Sequence, residues 1–282
     1  MYKLKLGKSV SFISGIAGRT PVISANFEKE LDECKKLGFD CVDFDYTGMS
    51  VFYVFAGNLA ILRQGLQAIK DAGLTLNCVH VPYGSEINPS DLCDLRRRGV
   101  VEYLKEAFAV MDEFQPRGYV LHPSHEPVAM ENREAHKKQL VKSLKELVKA
   151  TKTMVCLENM TRTLLCNTVD EMMEIVEQVD GLKICVDVNH FLHDKPEDAI
   201  LRFGNRVGTL HISDHDFINE MHRMPGLGKI DFMKVLGALE TIGYDGVFNY
   251  EVTMSVGGYV LCTNEDIKNN YEWLFESYQS QK

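Results

Sequence analysis

The chain is predicted to be an α/β protein, a (β/α)8 barrel forming one domain over residues 1–282. Three observations lead there. Short apolar runs alternate with helical patterns along the whole length, glycines close helices just before the next run, and no Ser/Gly-rich linker interrupts the order. Barrels of this kind routinely exceed 200 residues in one unit, so 282 residues need no second domain.

Eight runs rich in Val, Ile, Phe and Cys read as strands: Lys8–Ser14, Asp40–Tyr46, Thr75–Val81, Gly118–His122, Met154–Glu158, Lys183–Asn189, Val207–Ser213 and Gly246–Val252. Apolar residues at i, i+3, i+4 and i+7 predict helices at Phe27–Leu37, Leu59–Ala72, Val100–Phe114, Leu140–Ala150, Val169–Val179 and Phe232–Ile242. Gly38, Gly73 and Gly243 stand where helix C-caps need a residue that tolerates the left-handed conformation. The rival open doubly wound sheet would carry a glycine-rich phosphate fingerprint after its first strand. Ser14-Gly15-Ile16-Ala17-Gly18-Arg19 lacks the third glycine and the helix that should follow at once.

Composition narrows the class. Hydrophobic residues make up 45% and charged residues 25%, the balance of a globular protein. No stretch is apolar over the ~18 residues a membrane span requires, and the N-terminus shows no secretory signal pattern, so a cytoplasmic location is expected. Cys41, Cys78, Cys156 and Cys185 sit inside strand-like runs and no C-x-x-C pair occurs, which fits buried thiols and not disulfides. A formal charge of −9 argues against general nucleic-acid affinity, which depends on cationic neutralisation of phosphates.

Catalytic groups of a barrel come from strand ends and the loops beyond. Here those ends carry His80, His122, Glu158, Asp187, His211 and Glu251. Alternation puts His80 on the face of Cys78, Glu158 with Cys156, Asp187 with Cys185 and His211 with Thr209, while Val79, Leu157, Val186 and Leu210 face the helices. Carboxylates so crowded would repel one another, and a divalent cation reverses that penalty. Of the nine histidines, His125, His136, His193 and His215 show no such placement and read as solvated. Arg96-Arg97-Arg98 reads as an exposed charged face, and Phe52-Tyr53-Val54-Phe55 as a loop that either closes over a sugar ring or packs on a neighbouring subunit.

The ordered motifs His80-Val81-Pro82-Tyr83, Leu121-His122-Pro123, Leu157-Glu158-Asn159, Asp187-Val188-Asn189-His190, Leu210-His211-Ile212-Ser213-Asp214, the run from Glu220 to Asp231 and Tyr250-Glu251 resemble the xylose-isomerase-like barrel superfamily. That group holds sugar and sugar-phosphate isomerases and epimerases together with the endonuclease IV type of abasic-site nuclease, also called AP endonuclease family 2. The resemblance implies a metal held by Glu158, Asp187, His211 and Glu251, with Glu158 and Glu251 as the catalytic base and acid. It further implies substrate contacts from His190, with Arg223 and Tyr83 of the matched motifs beside it. His80, His122, Glu220 and His222 match the additional metal positions of the nuclease branch, with Glu220 standing where that branch has aspartate.

The expected function is therefore metal-dependent isomerisation or epimerisation of a sugar or sugar phosphate, by proton transfer next to the carbonyl through a metal-stabilised enediolate. Mixed imidazole and carboxylate donors suit manganese or zinc, with cobalt next. The partner is a small carbohydrate, with no nucleic acid and no membrane, and self-association into a homo-oligomer is left open. Three alternatives stand beside it: a zinc phosphodiesterase of the endonuclease IV type acting on abasic DNA, a related lyase or dehydratase acting on a keto-sugar, and a barrel that binds a sugar without catalysis, against which the paired Glu158 and Glu251 speak.

Overall fold

A computed structural model describes residues 2–17, 20–45 and 58–282. The chain opens with β1 (Lys5–Ser11), a hairpin of β2 (Ile13–Ala17) and β3 (Thr20–Ile23), then α1 (Phe27–Leu37), β4 (Cys41–Asp45), α2 (Asn58–Asp71) and β5 (Thr75–His80). It continues through α3 (Asp94–Asp112), β6 (Gly118–Leu121), α4 (Arg133–Ala150), β7 (Met154–Glu158), α5 (Val169–Val176) and β8 (Lys183–Asp187). The last part holds α6 (Pro196–Phe203), β9 (Val207–His211), α7 (Phe232–Thr241), β10 (Val247–Tyr250), a short hairpin of β11 (Ser255–Val256) and β12 (Tyr259–Val260), and α8 (Asn264–Ser280).

Eight of these strands form one parallel sheet in the order β10-β1-β4-β5-β6-β7-β8-β9. The two ends meet just beyond β9 and β10, where Ile212 N–H donates to the Asn249 carbonyl at 2.8 Å and Glu251 N–H donates to the Ile212 carbonyl at 3.0 Å. This is a (β/α)8 barrel, as the alternation of runs predicts.

Alternation along the strands separates two cores. Val79, Leu121, Leu157, Val186 and Leu210 face outward into the large apolar layer shared with the helices. Cys78, Val120, Cys156 and Cys185 pack together inside the barrel against Met154. All eight cysteines are free, including buried Cys41, Cys78, Cys156 and Cys185. Gly38, Gly73 and Gly243 take φ of +78°, +69° and +68°, the left-handed caps expected before β4, β5 and β10. Among the described residues no helix is long and apolar enough to cross a membrane.

Two elements depart from the sequence reading for stated physical reasons. The first barrel strand is Lys5–Ser11 and not Lys8–Ser14, because Lys5–Lys8 pair with β10 and Gly7–Ser11 with β4, while Ile13–Ala17 leave the barrel to pair with β3; the ammonium of buried Lys8 is satisfied by Glu30 (2.5 Å) and Asn264 (2.8 Å). Helix α6 is short, is entered through Pro196 at its first turn, and was not delineated by periodicity. Neither was α8, whose start is fixed by a capping box between Thr263 and Asp266. Gly18, Arg19, Tyr46 and the Phe52-Tyr53-Val54-Phe55 loop lie outside the described residues.

Two solvated readings are corrected. Arg97 is buried, because α3 turns it inward to pair with Asp94 (3.0 Å) and Glu146 (3.1 Å) and to donate to Ser143. His215 is buried as well, its Nδ1 accepting from Phe217 N–H at 3.3 Å in the loop after β9. His136 is half-buried and donates from Nδ1 to the Ser90 carbonyl at 2.7 Å, whereas His125 and His193 are exposed.

Candidate metal centre

The C-terminal ends of the strands bring the six expected residues together. Glu158, ending β7, places Oε2 at 3.1 Å from Nε2 of both His80 and His122. Its Oε1 lies 2.8 Å from Nδ1 of His211, which ends β9. Glu251, just beyond β10, reaches the same nitrogen with Oε2 at 2.8 Å. Asp187, ending β8, completes a set in which one ligand atom each from Glu158, Asp187, His211 and Glu251 lies within 4.8 Å of all the others. Three neighbouring sets meet the same limit: His80, His122 and Glu158; Glu158, Cys185 and His211; and Asp187, His190 and His222.

Proton accounting tests whether a cation suits these residues. His80 donates from Nδ1 to the Val81 carbonyl at 3.0 Å, His190 to the Asn159 carbonyl at 2.8 Å, and His222 to the Glu251 carbonyl at 3.1 Å. A carbonyl accepts only, so each neutral ring carries its proton on Nδ1 and turns the Nε2 lone pair toward carboxylates. Lone pairs facing anions are unfavourable unless a proton or a cation intervenes, and backbone anchoring of the far nitrogen is how metal-ligating imidazoles are held. Oδ2 of Asp187 and Oε2 of Glu251 are buried without a hydrogen bond. A mixed nitrogen and oxygen donor set with unsatisfied carboxylate oxygens fits a divalent transition metal.

The electrostatics agree with mutual compensation. Burial pushes the Glu158 carboxyl up, but the charge of His211 and the hydrogen bonds from His122, His211 and His80 outweigh it and hold the group well below the usual range. Burial raises Asp187 to about 6 against the pull of His190. Glu251 is drawn down to about 2, since burial is overcome by the charge of His211. Burial disfavours charged His190 and His222, yet Asp187 and Glu220 bring the first to about 10, and Glu220 with Asp187 brings the second to about 9. His80 is raised although burial opposes it, while burial lowers His122. Both face one Glu158 oxygen at 3.1 Å.

Asparagines and an aspartate hold the ligands in place. Asn159 clamps the Asp187 backbone from both sides, donating to its carbonyl at 2.9 Å and accepting from its N–H at 2.8 Å. Oδ1 of Asn189 accepts from Met221 N–H (3.0 Å) and His222 N–H (3.1 Å), anchoring the loop that bears Glu220 and His222. Buried Asp214 accepts from N–H of His215, Gly226, Gly228 and Ile230 and shapes the rest of that loop. Gly228 has no room for a side chain, because a Cβ there would sit 2.3 Å from Asp214 Oδ1.

The remaining site candidates divide. His190 is buried with Nε2 at 3.4 Å from Asp187 Oδ2 and 3.5 Å from Glu220 Oε1. Glu220 Oε1 also lies 3.3 Å from His222 Nε2. Tyr83 is 36% exposed and stacks on His122 with centroids 3.8 Å apart, at the rim of the cluster. Arg223 is exposed and its guanidinium reaches the Leu227 carbonyl at 3.5 Å, while its backbone pairs with Asp214. The arginine whose side chain touches the cluster is instead Arg162, 3.3 Å from Glu220 Oε2. Sequence reading missed Arg162, and missed Asp43, a buried acid on β4 whose Oδ2 lies 3.8 Å from His211 Nε2. The acidic position within the apolar run Cys41-Val42-Asp43-Phe44 was the available signal.

Comparison with known proteins places this geometry. An uncharacterized protein of Methanocaldococcus jannaschii is 29% identical over 185 residues, which are 61% of this chain and 63% of that protein. A D-psicose 3-epimerase of Enterocloster bolteae is 25% identical over 248 residues, covering 83% of this chain and 79% of the relative. Among solved structures, a D-tagatose 3-epimerase-like protein superposes with a TM-score of 0.74 at 21% identity, covering 98% of this chain and 97% of that one. D-psicose 3-epimerase from Clostridium cellulolyticum has a TM-score of 0.74 at 20% identity, covering 98% and 99%. These two likenesses are likenesses of fold. The family model described as xylose isomerase-like TIM barrel matches residues 31–276, and with the strand-end constellation inside that span the chain belongs to that family.

Proposed function

We propose that the protein is a divalent-metal-dependent sugar isomerase or epimerase that moves a proton at the carbon beside a ketose carbonyl. The observation that carries this reading is the convergence of Glu158, Asp187, His211 and Glu251 at the barrel mouth. The D-psicose 3-epimerase relatives supply the substrate class, an unmodified ketose. When bound, a divalent cation supplies Lewis-acid polarisation of the substrate carbonyl and the adjacent hydroxyl.

The chain's own residues do the rest. Glu158 is buried at the floor, with 1% side-chain exposure, and Glu251 stands higher with 26%, so the two carboxylates meet the substrate from different depths. One takes the proton from carbon and the other returns one, the division of labour that paired carboxylates allow when their surroundings differ. His190, locked by the Asn159 carbonyl, holds a substrate oxygen, and the exposed edge of Tyr83 covers the sugar. Manganese or zinc suits the donor set, with cobalt next.

Incubation with D-psicose and related ketohexoses in deuterium oxide tests the reading. Deuterium should enter the carbon beside the carbonyl in a metal-dependent way and fail to do so in Glu251→Gln. Absence of exchange with every ketose of such a panel counts against it.

A second reading is favoured by one observation, the two extra sets His80/His122/Glu158 and Asp187/His190/His222 with their backbone-anchored imidazoles. Several cations held this way suit phosphodiester hydrolysis at abasic sites in DNA. Three zinc ions per chain together with nicking of abasic DNA would establish it over the epimerase.

A further inference from the structure

Of the five imidazoles at the mouth, four have a polar group facing the ring nitrogen turned away from the cluster. In His80, His190 and His222 that nitrogen is Nδ1 and a backbone carbonyl serves it. His211 is reversed. Its Nδ1 points into the cluster, 2.8 Å from both Glu158 and Glu251, so Nε2 points down the barrel, where Oδ2 of Asp43 lies 3.8 Å away.

That oxygen is buried and lacks a hydrogen bond. The other oxygen, Oδ1, is fixed by Asn77 Nδ2 at 2.6 Å and by Cys78 N–H at 3.1 Å. Asn77 in turn lies 3.4 Å from the Thr209 hydroxyl, two residues before His211 on β9. The carboxylate is thus immobilised on one side and left with a free acceptor on the side of the imidazole. A buried carboxylate oxygen without a donor is costly, and a sub-ångström shift of the ring would supply the Nε2–H donor.

We infer that Asp43 is the positioning residue of His211: its Oδ2 accepts the Nε2–H, fixes the tautomer with the lone pair on Nδ1, and aims that nitrogen at the cation. The inference rests on the four-ligand reading above. The competing neighbour is Cys185, whose thiol faces the same imidazole.

Manganese titration by calorimetry on the full-length metal-free protein separates the cases, with wild type, His211→Ala, Asp43→Asn, Asp43→Ala and Cys185→Ala compared. Asp43→Asn and Asp43→Ala should weaken manganese on the order of 10–100-fold, the usual loss for a partner of a metal-ligating histidine, while Cys185→Ala stays within a few-fold of wild type. The zinc-loaded protein should also show a His211 Nε2-bound proton in nitrogen-edited NMR, displaced in Asp43→Asn. Manganese affinity unchanged in both Asp43 variants, or a loss confined to Cys185→Ala, overturns the assignment even where His211→Ala abolishes binding. Failure of wild type to bind manganese overturns the four-ligand reading and this assignment together.

Discussion

Nδ1 of His211 lies 2.8 Å from Oε1 of Glu158, and the same nitrogen is 2.8 Å from Oε2 of Glu251. A ring nitrogen carries at most one proton, so it can donate to only one of the two carboxylates. The second carboxylate oxygen is left buried without a donor, which is the position of Glu251 Oε2. A cation shared by all three groups resolves the conflict, and the expectations below follow from that sharing.

Removing metal should destabilise the fold. A ligand that binds only the native state at 100 times its dissociation constant contributes about 2.7 kcal/mol. Chelation should therefore lower the thermal midpoint by several degrees, and added manganese should restore it. Identical melting curves with and without chelator would contradict this.

Metal binding should strengthen as pH rises. Although burial opposes it, Cys185, Glu251 and Glu158 hold the His211 imidazole well above its usual value, so at neutral pH the metal-free centre carries a proton there. Binding at the centre expels protons from the imidazoles it recruits, and a reaction that releases protons is favoured by raising pH. Calorimetry of manganese binding in buffers of different ionisation enthalpy should report net proton release, and affinity should rise between pH 6 and 8.

Glu251→Gln should lose exchange more than it loses metal. The amide keeps an oxygen donor but neither accepts nor delivers the proton, so a fall of roughly 10²- to 10⁴-fold in turnover is expected. Manganese affinity should fall far less. Parallel measurement of both quantities checks the separation, and equal losses would assign Glu251 to metal binding alone.

Tyr83→Ala should raise KM with little change in kcat. Its ring stacks on His122 at 3.8 Å and stays partly exposed, which suits covering a sugar equally before and during reaction. Steady-state kinetics on an accepted ketose distinguishes this from a loss confined to kcat.

Asp214→Ala should destabilise the protein without touching a ligand. Its carboxylate accepts four backbone N–H groups at 2.8 to 3.1 Å, and each buried donor left unpaired costs about 1–3 kcal/mol. A net loss of about 3 kcal/mol, read as a lower denaturant midpoint, allows for water entering part of the gap. Gly228→Ala should behave similarly, since its Cβ would overlap the same carboxylate.

Much of this was legible in the residues. The period-two alternation that put Val79, Leu157, Val186 and Leu210 outside and the cysteines inside is the alternation found, because a parallel barrel strand is constrained on both faces. Glu158, Asp187, His211 and Glu251 stand at strand ends, where a barrel gathers its site residues. What stayed hidden depends on pairing across the structure. Arg97 looks solvated until Asp94 and Glu146 are seen beside it. Asp43 looks like one acid among many until its unpaired oxygen is found beneath His211. Arg223, inside a matched motif, reaches the Leu227 carbonyl, and Arg162, outside every motif, reaches Glu220.

Anomalous diffraction from crystals grown with manganese measures the central claim most directly. An anomalous peak within about 2.0–2.3 Å of donor atoms of Glu158, Asp187, His211 and Glu251 is the expected result. Crystals that show these four side chains hydrogen-bonded to one another with no peak between them, at saturating manganese, would contradict it.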